Sequence, residues 1–127
     1  ETVEALTALF AGRPYAGGDH VPRLEGPVVP PPLQPGGPPI WLGGLADAVV
    51  RIAGERARGW NGWGLEPGVF RAKARLLVEA ADGRDVVPTW AGIVLTGRDE
   101  AETEELLRRR RERGMADAAW SGTTSKT

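Results

Sequence analysis

Gly43 and Gly44 stand between an apolar triplet, Ile40-Trp41-Leu42, and a run of apolar residues at helical spacing. Glycine lets a backbone come close to a ligand. The N-terminus of the following helix offers free N–H groups at the positive end of its dipole, so the junction has the outline of a phosphate site. A tight strand-to-helix turn with no ligand would need the same glycines. Neither G-x-G-x-x-G nor a glycine loop ending in G-K-[ST] is present, so both nucleotide-loop patterns are absent. Asn61-Gly62-Trp63-Gly64 closes the next apolar segment. Trp60 and Trp63 offer flat surfaces suited to a ring system or an apolar substrate. Trp60 reads as core; Trp63, between two glycines, suits either core or ligand contact.

Other chemistries are excluded by residue type. The 127 residues hold no Cys and one His, His20. Thiolate nucleophiles, zinc-thiolate sites, disulfides and multi-His metal centres are therefore ruled out. His20 has no partner for acid-base work and reads as structural or surface. The only serines, Ser121 and Ser125, lie in the tail, so no Ser-His-Asp set exists. Arg108-Arg109-Arg110-Arg111 follows Glu102, Glu104 and Glu105, and i,i+4 pairs Glu104–Arg108 and Glu105–Arg109 are expected on a solvated helix face. With 16 Lys and Arg against 17 Asp and Glu, the net charge is -1, which argues against nucleic acid as a partner. No apolar run approaches the ~20 residues of a membrane helix, and no signal peptide opens the chain. A cytoplasmic location is expected.

Positioning the glycine turns requires strands that feed helices. Val3, Leu6 and Phe10 mark an opening helix, complete by residue 12. Gly17-Gly18-Asp19 suits a hairpin turn. Pro27, Pro30, Pro31, Pro32, Pro35, Pro38 and Pro39 follow, and residues 13–39 read as a hairpin and an extended proline-rich connector. A PxxP ligand is the other reading of those prolines, but prolines alone are weak evidence of recognition. Three strand-helix units then fill 40–114, with strands at 40–42, 60–63 and 90–95. Val49, Val50 and Ala53 mark the first of their helices. The second opens at Pro67 and closes at Asp82-Gly83. The third opens on a capping box of Asp99 and Glu102 and stops at Gly114. Alternating strands and helices predict an α/β fold with a parallel sheet and right-handed crossovers. The chain opens inside a helix and closes in a loop-like tail, 115–127, so a piece of a longer polypeptide is expected.

Three segments carry a resemblance: Pro38-Pro39-Ile40-Trp41-Leu42-Gly43-Gly44, Ala53-Gly54-Glu55-Arg56-Ala57-Arg58-Gly59-Trp60-Asn61-Gly62-Trp63, and Trp90-Ala91-Gly92-Ile93-Val94-Leu95-Thr96-Gly97-Arg98-Asp99-Glu100-Ala101-Glu102. In this order they resemble the luciferase-like monooxygenase family, most closely its branch using coenzyme F420. The resemblance implies a partial TIM (β/α)8 barrel, strands five to seven with their helices, as a single partial domain. It implies hydride transfer or oxygen activation on a small-molecule substrate with coenzyme F420 or FMN, and a possible homodimer of the full-length protein. It places Leu42, Gly43, Gly44, Gly62 and Trp63 at the cofactor phosphate, with a side-chain hydrogen bond lacking where Trp63 replaces a hydroxyl residue. Catalytic groups are expected on strands outside this chain. The alternative is a non-enzymatic binding module using the glycine turns or the proline segment.

Overall fold

The computed structural model describes residues 1–114; the expected loop-like tail, 115–127, lies outside the described residues. Helix α1 (Thr2–Phe10) is followed by strand β1 (Trp41–Gly43), helix α2 (Asp47–Arg56), strand β2 (Gly59–Trp63), helix α3 (Pro67–Ala81), strand β3 (Val87–Ala91) and helix α4 (Glu100–Glu112). The three strands form one sheet in the order β1-β2-β3, parallel throughout. Each connection is a helix, as parallel neighbours require.

The helices form where apolar residues recur on one face. Val50 and Ala53 of α2 and Leu77 of α3 are buried with Ala57 and Trp60. Ile40, Leu42, Leu65 and Phe70 pack around that cluster. One face of the sheet is thus covered by α2 and α3. Pro67 opens α3, where its missing N–H costs nothing, and Asp82 closes it in the left-handed region (φ 47°), followed by Gly83 (φ 83°).

The third strand is displaced from its expected place. It runs over Val87–Ala91, not 90–95, and Ile93 (44% exposed) and Val94 (70%) lie in the loop beyond it. The expectation followed the more apolar run, Trp90–Leu95, whereas the strand takes in Pro88. Val87 N–H donates to the Arg58 carbonyl (3.1 Å), so the nitrogen of Pro88 faces away from β2 and no ladder bond is lost. The short return from Gly83 then brings the chain back to β2 at Val87 rather than three residues later.

Before the sheet, Tyr15 and Leu24 make a single antiparallel bridge through two 3.0 Å hydrogen bonds. Residues 25–40 form no helix or strand. No helix among the described residues is long and apolar enough to cross a membrane.

In α4 the Asp99 carboxylate accepts from Glu102 N–H (2.9 Å), and the Glu102 carboxylate reaches back to Arg98 N–H (2.7 Å). The helix buries no residue, so this cap matters more than packing. Asp99→Ala is expected to destabilise α4 by about 1 kcal/mol. Hydrogen exchange should show its first-turn amides losing protection while those of α2 and α3 are unmoved. The arginine run is paired as anticipated in kind but not in detail. Glu105 holds both Arg108 (2.7 Å) and Arg109 (2.7 Å), and Arg108 also reaches Glu112. Glu104 is not Arg108's partner: Glu105 at i,i+3 and Glu112 at i,i+4 take its guanidinium. The two guanidinium hydrogen bonds hold the Glu105 carboxyl down at about 2.

Candidate functional site

In a strand, neighbouring side chains point to opposite faces. Trp60 points into the helices, so Gly59, Asn61 and Trp63 face the other way. The register continues this division. Leu42 lies beside Trp60 on the covered face, and Trp41, Gly43, Thr89 and Ala91 share the uncovered face with Asn61. Trp41 is 43% exposed and Trp63 is 63% exposed.

The Gly43-Gly44 turn sits at the carboxyl end of β1, level with Asn61. Its two glycines do different jobs. Gly43 has open space where a Cβ would stand. Gly44 has φ 129°, a conformation side-chain-bearing residues rarely adopt, and an added Cβ would come within 3.3 Å of Val49 Cγ1. Trp60 Nε1 donates to the Gly44 carbonyl (2.7 Å), tying this turn to the core. Just beyond, α2 begins without a side-chain cap at Ala46. The amides of Asp47 and Ala48 therefore have no acceptor within the helix and remain available to an anion.

The negative charge of Asp47 in that first turn would oppose an anion. It is drawn off by Lys73 of α3, whose Nζ lies 2.7 Å from Asp47 Oδ1. The Lys73 hydrogen bond and charge hold the Asp47 carboxyl below its ordinary range. The pair leaves the helix end close to neutral in side-chain charge, with its dipole exposed.

The structure distributes the expected site residues over both faces. Gly43 and Gly44 form the turn. The Leu42 side chain belongs to the core, so only its backbone borders the turn. Trp63 lies on the uncovered face of β2. Gly62 faces the helices, and a Cβ there would run into Trp60 (2.6 Å) and Leu65 (2.9 Å). The missing side chain at Gly62 thus makes room for the Trp60 indole. Trp41 and Asn61 join Trp63 on the open face. Alternation alone would have found them, once Trp60 was assigned to the core.

A cleft of about 460 Å³ opens elsewhere, between α1, the end of α2 and Arg84. Its charges are largely engaged. Arg56 pairs with Glu4, and the Arg84 guanidinium donates to the carbonyls of Gly54 and Ala57, closing the end of α2. No cluster of three His, Asp or Glu side chains able to hold a metal exists among the described residues.

The profile of the luciferase-like monooxygenase family matches residues 1–125. No curated protein matches the sequence. The parallel strand-helix units and a match spanning nearly the whole chain lead to one conclusion: this chain belongs to the luciferase-like monooxygenase family.

Proposed function

We propose that this chain is the cofactor-phosphate-binding portion of an oxidoreductase using coenzyme F420, with FMN as the alternative, and one part of a larger (β/α)8 barrel. Family membership supports a flavin-type oxidoreductase. The motifs around Gly43, Trp60 and Trp90 favour the coenzyme F420 branch. The observation that carries the site is the open space at Gly43 beside an uncapped helix start. A phosphate fits there: the glycine admits it, and the Asp47 and Ala48 amides can donate to it. Leu42 and Gly44 hold the turn from either side, and Trp63 shields the neighbouring strand end. Gly62 contributes by letting Trp60 reach the Gly44 carbonyl.

When bound, such a cofactor supplies hydride transfer or oxygen activation. The chain's own part is to anchor the cofactor at one end and to exclude water with Trp41 and Trp63. The substrate is a small organic molecule, and the groups facing the reactive atoms come from other strands of the barrel. A homodimer of the full-length protein forms part of the proposal.

The test uses the full-length polypeptide and Gly43→Val, which adds bulk in open space with no left-handed backbone to strain. Binding of coenzyme F420 and FMN is followed by fluorescence titration. The variant should bind the wild-type cofactor at least about tenfold more weakly, a loss of about 1.4 kcal/mol, with an unchanged circular dichroism spectrum. Unchanged affinity would remove the turn from the site. Gly44→Val is the poorer test, because φ 129° and Val49 make it a change to the turn itself.

A further inference from the structure

Two dipeptides among the described residues carry the chemistry of backbone imide formation, Asn61-Gly62 and Asp82-Gly83. In each, the glycine nitrogen can attack the preceding side-chain carbonyl, because glycine has no Cβ to crowd the approach. By residue type Asn61 should react first, since an amide loses ammonia more readily than a carboxylate loses water. The structure reverses that order. Gly62 is buried in the middle strand, in register with Trp90 of β3, and Asn61 is in register with both Gly43 and Thr89. Turning the Asn61–Gly62 peptide would break that ladder, and opening a core strand costs close to the full stability of a fold.

Asp82-Gly83 has no such restraint. Both residues are exposed in the return from α3 to β3. Among the described residues the Asp82 carboxylate has no hydrogen bond or ion pair, and the Gly83 N–H has no acceptor. Nothing lies within 4 Å of where a Gly83 Cβ would stand. Asp82 is also the one non-glycine residue there with positive φ (47°). Left-handed backbone is costly for an L-residue, so rotation out of it is not opposed by local preference.

We infer that Asp82 is a site of spontaneous isoaspartate formation, and that the modified turn loosens the end of α2. The Gly83 nitrogen attacks Asp82 Cγ and closes a five-membered succinimide. The side-chain hydroxyl leaves with the amide proton as water. Water then reopens the ring. Cleavage of the new C–N bond restores aspartate. Cleavage of the original peptide bond leaves the chain running through the side chain, one methylene longer, with a free α-carboxylate. The water lost is regained, and no oxidant or cofactor enters. The added methylene falls just ahead of Arg84, whose N–H donates to the Ala81 carbonyl across the turn (3.0 Å). The Arg84 guanidinium donates to the Gly54 and Ala57 carbonyls at the end of α2. Lengthening the chain between Ala81 and Arg84 breaks the turn hydrogen bond and draws the arginine off those carbonyls.

The experiment ages the full-length polypeptide in neutral buffer, folded and in urea. Isoaspartate is counted with an isoaspartate-specific methyltransferase and labelled S-adenosylmethionine, and placed by peptide mapping. In the folded protein it should form at 82 at least about tenfold faster than at 61, and urea should invert the order. Asp82→Glu, which would need a six-membered imide, should abolish the signal at 82. Asp82→Asn keeps a residue suited to left-handed backbone and should react faster, with ammonia as the leaving group. The isoaspartyl form, separated chromatographically, should unfold at a lower temperature than unmodified protein and exchange its Arg56 and Ala57 amides faster. No isoaspartate at 82, or the same order of sites folded and unfolded, would overturn the assignment. An isoaspartyl form with unchanged exchange at Arg56 and Ala57 would overturn the coupling to α2.

Discussion

Trp60→Ala is expected to lower the stability of the intact protein by about 3–5 kcal/mol, the range for deleting a large buried aromatic side chain. Trp60 is fully buried and stacks on Phe70 with ring centroids 5.7 Å apart. Its neighbours Val50, Ala53 and Leu77 are equally buried, and they sit on two helices whose backbones are not free to collapse into the cavity. A second loss is local. Removing Nε1 unties the Gly44 carbonyl, so the β1–α2 turn loses its link to the sheet. Trp60→Phe separates the two effects: most of the packing stays, and about 1 kcal/mol goes with the hydrogen bond. Urea unfolding measures the totals, and hydrogen exchange at Leu45 and Ala46 reports the turn. Since native domains hold only about 5–15 kcal/mol, the alanine variant should fall near the edge of folding. An alanine variant within 1 kcal/mol of wild type would show that Trp60 is not the centre of this core.

The same residue shows what was legible in the sequence. Strand-helix alternation was visible because Val50, Ala53 and Leu77 recur at helical spacing between short apolar runs, and the parallel sheet follows from that order. Pro67 and Asp82-Gly83 bounded α3 correctly because their backbone preferences are local. The third strand was misplaced because Trp90-Ala91-Gly92-Ile93-Val94-Leu95 is the more apolar run. Strand register, however, is set by where the chain returns from α3, and a proline on the outward side of a strand does not interrupt it. The Glu105 pairings depended on rotamers that spacing cannot choose between i,i+3 and i,i+4. In the candidate site, glycines were readable as positions but not as reasons. Gly43 is open, Gly44 is conformational and Gly62 is a hole for an indole. Asn61 belonged to no site motif; only strand alternation places it on one face with Trp41 and Trp63.

Gly54→Val should cost about 3 kcal/mol, although replacing glycine within a helix normally stabilises it. The sign is decided by what lies opposite. A Cβ on Gly54 would stand 2.5 Å from the Leu77 carbonyl oxygen and 2.8 Å from the Ala80 Cβ. The first of these is backbone and the second is bound directly to it, so neither can swing away. The helices α2 and α3 would have to separate, drawing Val50 and Ala53 off Leu77 and Trp60. Gly54→Ala already introduces the clash and should be destabilising, and valine adds a β-branched penalty in a helix. Gly68, in the first turn of α3, is the control. Nothing lies within 4 Å of its added Cβ, so Gly68→Ala should be neutral or stabilising by up to about 0.5 kcal/mol. The effect should reach the site, because the position of α2 sets where the Asp47 and Ala48 amides point. Cofactor affinity should therefore fall in Gly54→Ala at temperatures where the variant remains folded, and remain at the wild-type value in Gly68→Ala. Thermal unfolding and fluorescence titration of the two alanine variants, side by side, measure both. A stabilised Gly54→Ala would show that α2 and α3 do not approach as closely as their backbones indicate here.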